Sequence, residues 1–118
     1  KHYLLALMIF GLSYLHAQSI NDIPLAEINV EYIQIVGTSK LFSNKLTIQI
    51  DFGQENKFWT GQGDNRIKDV NGKVINFNTM IDALNFLSEN GYEFINAYAI
   101  ATPNQNVYHY ILKRQKKT

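Results

Sequence analysis

The sequence predicts an α+β domain: a mainly antiparallel sheet of four or more strands, with one amphipathic helix at about residues 79–90 packed on one face. Three observations point there. Helix, glycine and strand signals follow one another without a gap from Thr79 to Ala101. A strict apolar/polar alternation, Leu46, Ile48, Ile50 and Phe52 against Thr47, Gln49 and Asp51, marks a half-buried antiparallel strand with one wet face. Two further runs rich in branched and aromatic residues, 30–36 and 107–112, supply partners for these strands.

The helix is specified at both ends. Thr79 is a good N-cap type, and Asp82 three residues later has capping-box spacing, with Asp in place of the usual Glu or Gln. Met80, Ile81, Leu84 and Leu87 recur at steps of three and four, with Ala83 beside them, which places an apolar stripe on one side. Asp82, Asn85 and Glu89 fall away from it. Asn90-Gly91 ends the run, because glycine has no Cβ to clash in the left-handed position after a helix. About three turns result, too few to be stable alone in water, so the stripe must find a sheet.

That sheet follows at once. Residues 92–101 read as a central strand because both faces are apolar: Tyr92, Phe94, Tyr98 and Ile100 on one, Ile95, Ala97, Ala99 and Ala101 on the other. The small alanine face leaves room for the helix. Residues 103–106 form a turn, and 107–112 return as a second strand, with Val107, His109 and Ile111 opposite in facing to Tyr108, Tyr110 and Leu112. The sheet face away from the helix is expected to be the wetter one.

The run Leu84-Asn85-Phe86-Leu87-Ser88-Glu89-Asn90-Gly91-Tyr92-Glu93-Phe94-Ile95 resembles the hallmark of a small bacterial domain of unknown function. In that domain a strand precedes a helix ending in Gly-Trp-Glu, and a closing strand pair ends in a Lys/Arg-rich tail. Tyr92 stands here in place of the tryptophan. Residues 108–114 resemble the family's last strand and 31–36 its first. Val36-Gly37-Thr38-Ser39-Lys40 and the Asn-Gln-Asn-Val-Tyr-His-Tyr run at 104–110 are similar to small exported proteins of Gram-negative bacteria, also uncharacterised. The resemblance covers about two thirds of the chain. It implies a fold and a cellular address and transfers no catalytic residue.

The N-terminal segment agrees with that address. Lys1 precedes an apolar run, residues 3–15, and Ala17 offers a small residue for cleavage. This is the layout of a signal peptide, although Leu15 occupies a position where a small residue is preferred. The run is shorter than the roughly 20 residues a membrane-spanning helix needs. A buried N-terminal helix is the alternative. The expected organisation is a signal peptide at 1–17 and a single domain at 18–118, exported to the periplasm or beyond. Removing Lys1 takes the basic residues from 11 to 10 against 10 acidic ones, a net charge of zero. At 46% apolar residues the chain can build a core, and with no cysteine it does so without disulfides.

The remaining segments are shorter. Residues 19–29, with Pro24 inside, read as an irregular lead-in. Residues 41–45 connect the first two main strands, and 53–65 have the least ordered composition. Asn71-Gly72, between Ile67-Lys68-Asp69-Val70 and Lys73-Val74-Ile75, is a strong hairpin signal because both residues tolerate positive φ.

Most catalytic chemistry finds no support. His109 would be the sole histidine after cleavage. A Ser/His/Asp site would have to use it with Ser39, Ser43 or Ser88, and no Gly-x-Ser-x-Gly turn exists. Between two tyrosines it reads as an ordinary strand residue. Asp64, Asp69, Asn71 and Gly72 faintly resemble a calcium loop but lack its further ligands and closing glutamate. Gly61-Gln62-Gly63 lacks the Gly-Lys-Ser/Thr ending of a phosphate loop. No metal or cofactor is expected.

Phe58 and Trp59, in a polar glycine-rich stretch, form the best binding candidate, since an aromatic face can stack on a sugar or a peptide side chain. The competing reading folds Trp59 back over a sheet edge. Tyr92, Tyr98, Tyr108 and Tyr110 could extend an aromatic surface, although strand tyrosines are usually packing residues. The basic residues 113–117 read as a solvated end, and export makes nucleic acid an improbable partner. The expectation is a non-enzymatic binding or interaction module for an envelope protein or a glycan. The alternatives are a small enzyme using carboxylates such as Asp51, Asp82 or Glu93, and a structural partner in an envelope complex, which an exposed apolar patch or sheet edge would support.

Overall fold

The computed structural model describes residues 18–40, 42, 45–54 and 64–116 of the chain. In chain order these form β1 (Ser19–Ile20), β2 (Ile23–Pro24), a 3-10 turn (Leu25–Glu27), β3 (Tyr32–Lys40), β4 (Leu46–Asp51), β5 (Ile67–Lys68), α1 (Met80–Glu89), β6 (Tyr92–Ala101) and β7 (Gln105–Arg114). Two antiparallel sheets, one ordered β4-β3-β7-β6 and a small one ordered β2-β1-β5, pack with the helix into an α+β fold.

The main sheet is two hairpins docked along their inner strands. β3 pairs with β4 from Gln34↔Asp51 to Ser39↔Leu46, and β6 pairs with β7 from Tyr92↔Arg114 to Ala101↔Asn106. β3 and β7 then run antiparallel from Tyr32↔Lys113 to Lys40↔Gln105. Strand alternation sends Ile33, Ile35, Ile48, Ile50 and Leu112 to one face, where they are buried with Met80, Ala83 and Leu87 of α1. Each large side chain buried there contributes roughly 1.5–3 kcal/mol.

The caps of α1 form as the sequence predicts, with one variation. The Asp82 N–H donates to Thr79 Oγ1 at 3.0 Å, while the Asp82 carboxylate accepts from the Asn78 N–H at 3.0 Å, one residue earlier than a standard capping box. Gly91 takes φ +93° and its N–H donates to the Ser88 carbonyl at 3.2 Å. The buried stripe is narrower than expected. Leu87 is fully buried and Leu84 half-buried, but Ile81 is 54% exposed.

The helix does not settle on the alanine face of β6. Met80 instead lies over Gly37 in β3, where a Cβ would overlap its Sδ. Ala99 and Ala101 stay exposed. β6 itself is an edge strand, not the central strand its composition suggested. A bulge between Phe94 and Asn96 also changes its facing. Tyr92 and Phe94 share a side with Ala97, Ala99 and Ala101, while Tyr98 and Ile100 point to the opposite side. Without the extra residue, period-two alternation would have kept Phe94 and Tyr98 together.

Residues 19–29 are more regular than a lead-in. Ser19 and Ile20 pair with Pro24 and Ile23 across Asn21-Asp22, and both turn residues have positive φ, 51° and 62°. This is the two-residue hairpin turn expected at Asn71-Gly72. At the latter only Gly72 takes positive φ, +80°. Asp69 organises that turn instead: its carbonyl accepts from Gly72 N–H at 3.0 Å, and its Oδ1 accepts from the N–H groups of Asn71 and Lys73. The strand expected at 107–112 runs on to Arg114, so the first two residues of the basic tail belong to the sheet.

Candidate interaction surface

The sheet face away from α1 changes character across its width. On the β4 side it is mainly polar, with Thr47, Gln49 and Asp51 of β4 opposite Thr38, the buried Val36 and Gln34 of β3. There the expectation of a wet face holds. On the β6 side it carries Tyr98 and Ile100, 48% and 50% exposed, beside His109 and Val107 of β7.

Tyr98, His109 and Gln34 form a small network on this face. The Tyr98 and His109 rings stack at 4.4 Å between centroids and 8° between planes. Gln34 Oε1 accepts from Tyr98 Oη at 3.5 Å and lies 3.2 Å from His109 Nδ1. A carbonyl oxygen only accepts, so the second contact requires the proton on Nδ1. His109 is only 4% exposed, and the stacked Tyr98 ring covers one side of it. Its hydrogen-bond partner is the Gln34 amide oxygen rather than a carboxylate.

Two of the three candidate carboxylates, Asp82 and Asp51, accept hydrogen bonds from nearby backbone N–H groups. Asp82 caps the helix, and Asp51 Oδ1 accepts from the Gly53 N–H at 3.0 Å. Among the described residues no three His, Asp or Glu side chains come together as metal ligands would, and no helix is long and apolar enough to cross a membrane. Asp64 sits between Arg66 and Lys68. Its bond to the Arg66 guanidinium, at 2.8 Å, holds its carboxyl below the ordinary value of 3.8. At the other end of the sheet, the phenol of Tyr32 and then the carboxylate of Glu31 raise the Lys113 ammonium.

Beside Lys113 lies an open groove lined by Leu25, Asn29, Glu31, Asn90, Tyr92 and Arg114. Arg114 is committed to the fold there. Its Nη2 donates to the Ile28 carbonyl and to Tyr92 Oη, its Nη1 reaches Asn29 Oδ1 at 3.4 Å, and its guanidinium lies over the Tyr92 ring.

Of the aromatic residues singled out in the sequence, Phe58 and Trp59 lie outside the described residues. Tyr98 is exposed on the open face. Tyr108 and Tyr110 are half-buried against the core on the helix face, where Tyr110 meets Phe94 edge to ring at 5.6 Å. The sheet therefore separates Tyr98 from the other two.

The feature that sequence reasoning missed is that β6 is an edge strand, paired with β7 alone among the described residues. Along it Phe94, Ile95, Tyr98 and Ile100 are each about half exposed. The outer edge of β4, by contrast, is partly closed, since its Ile50 N–H donates to the Asn65 carbonyl at 2.9 Å. Gln54 joins the two flanks of that closure through its bonds to Ile50 and Asn65. The two-sided apolar pattern of β6, with Glu93 its only charged residue, is the pattern of a central strand, so no local signal marked it as an edge. Comparison with protein-family models, with curated proteins and with solved structures returned no match.

Proposed function

We propose that this protein is a non-enzymatic interaction module that binds through the outer edge of β6 and the apolar half of the open sheet face beside it. One observation carries the reading: a ten-residue edge strand whose large apolar side chains stand half exposed. Edge strands of soluble domains are normally blunted by lysine, proline, a bulge or a covering loop. β6 has a bulge between Phe94 and Asn96, and the segment beyond it, from Asn96 to Ala101, has neither lysine nor proline. An unpaired edge of this kind adds a strand from a partner, with main-chain hydrogen bonds giving affinity and the flanking side chains giving selectivity.

The signal-peptide layout of residues 1–17 and the resemblance to small exported bacterial proteins support placing this module in the envelope after cleavage near Ala17. It would act there as a partner of another envelope component.

The test is capture from the native envelope fraction with wild-type protein and with Ile100→Lys. A lysine at this half-exposed site should cost about 1 kcal/mol or less while opposing strand addition. Loss of the captured partner in the variant, with its cooperative unfolding transition retained, is the expected result. Equal capture by both proteins would reject the β6 edge as the binding surface.

A further inference from the structure

We infer that the β6 edge pairs with β6 of a second copy of this chain, antiparallel about a twofold axis through Ala99. The inference rests on the edge-binding reading above and names its occupant.

The outward main-chain groups fix the register. Thr102 N–H donates to the Gln105 carbonyl at 2.8 Å, so Thr102 is directed toward β7. Pairing is unbroken from Asn96↔Ile111 to Ala101↔Asn106. Alternation along an antiparallel ladder then turns Ile100, Tyr98 and Asn96 toward β7 and leaves the N–H and C=O of Ala101, Ala99 and Ala97 facing outward. The Ala97 N–H confirms this direction, because it donates to the Asn96 side chain at 2.8 Å. On the far side of the bulge the alternation is broken, so 97–101 is the longest regular stretch of free edge.

A twofold through Ala99 matches every outward residue in that stretch. Ala99 faces its own copy, and Ala97 faces Ala101 of the second chain. Two hydrogen bonds form at Ala99, two more run from Ala101 N–H to the Ala97 carbonyl, and a further two run from Ala97 N–H to the Ala101 carbonyl. The last two need the Ala97 N–H to leave Asn96 Oδ1. A twofold at Tyr98 or at Ile100 would pair fewer outward groups, because it would run into the bulge or into Pro103, which has no N–H.

The side chains agree with this register. Tyr98 falls opposite Ile100 of the second copy, twice, in the non-hydrogen-bonded positions where side chains approach most closely, an aromatic–branched pairing that favours strand association. On the helix side only alanines meet. No charged residue lies within the paired stretch 97–101. The product is one eight-stranded sheet with both helices on the same side. The contact is small: a half-exposed tyrosine offers on the order of 100 Å². The pairing therefore falls short of the roughly 1,600 Å² of a standard interface, and the dimer is weak and transient.

Sedimentation across a wide concentration range, with disulfide trapping, tests this. The chain has no native cysteine, so Ala99→Cys reports cleanly. Across the twofold its Cα atoms stand about 5.5 Å apart, within reach of a disulfide. Ala97→Cys should not trap, because its Cα atoms lie four residues apart along the strand, roughly 13 Å.

Ala99→Pro removes an outward N–H that no β7 bond uses, so the monomer should keep its fold while association weakens about tenfold or more. Asn96→Ala releases the Ala97 N–H and should strengthen association several-fold. Trapping at residue 97 rather than 99, or association unchanged in both Ala99→Pro and Asn96→Ala, would overturn the register. A monomer at every concentration that still captures an envelope partner in an Ile100-dependent way would overturn self-pairing and leave the edge-binding reading intact. A monomer with no such capture would remove both.

Discussion

A methyl group on Gly37 would overlap Met80 Sδ and crowd Ile48 Cδ1 at 3.3 Å. The glycine is there because the helix crosses β3 closely, and its role is steric rather than conformational. Gly37→Ala is expected to cost about 1–3 kcal/mol by overpacking, read as a lower denaturation midpoint. The cost should shrink in a Met80→Ala background, because the two side chains compete for one space. A full, additive loss in the double variant would mean that Met80 does not occupy the space over Gly37. Single residues also decide the turns. Asn21 and Asp22 accept positive φ through their short polar side chains, whereas at Asn71-Gly72 the Asp69 carboxylate draws two N–H groups inward and leaves positive φ to glycine alone.

For the helix as an element, the sequence placed both ends correctly and drew the apolar stripe slightly too wide. Thr79, Asp82 and Gly91 act locally, so their roles were legible. Ile81 lies at the margin of the stripe, and only contact with the sheet could decide whether it was covered. Leu87→Ala is therefore expected to cost 2–5 kcal/mol, as a buried leucine does (roughly the full range for such sites). Ile81→Ala should stay near 1 kcal/mol or less, since half of that side chain already faces water. Comparable losses from the two substitutions, measured by chemical denaturation, would put the helix in a different rotation. β6 shows the opposite case. Its strand character was legible residue by residue, but its facing was misread because a bulge at a single position shifts every later side chain to the other side.

Across the whole molecule, Arg114 ties the N-terminal segment to the main sheet. Its N–H donates to the Glu31 carbonyl at 2.7 Å, and its guanidinium reaches Ile28, Asn29 and Tyr92. Arg114→Met keeps much of the side-chain volume, leaves the main-chain bond to Glu31 and removes the guanidinium's bonds, at an expected cost of roughly 1.5–3 kcal/mol, or on the order of 10 °C in melting temperature for a domain of this size. The loss should be reduced somewhat because Arg114 Nε is itself buried without a partner. Amide protection should fall first at Leu25 and Ile28 and last at Ile35; uniform loss across all three would assign Arg114 to the global core instead. The free edge belongs to this scale too. Nothing within residues 92–101 announces whether the strand has one neighbour or two.

The sequence by itself determined the α+β class, the strand pairings that close through short turns, the helix and both of its caps, because each depends on neighbours a few residues away. Only the tertiary structure decided that β3 lies between β4 and β7, that the helix rests over Gly37, and that β6 is left on the outside with Tyr98 separated from Tyr108 and Tyr110. The reason is that an apolar strand carries the same pattern whether its second neighbour is present or absent; the neighbour is chosen by contacts between residues far apart in the chain, where local periodicity holds no information.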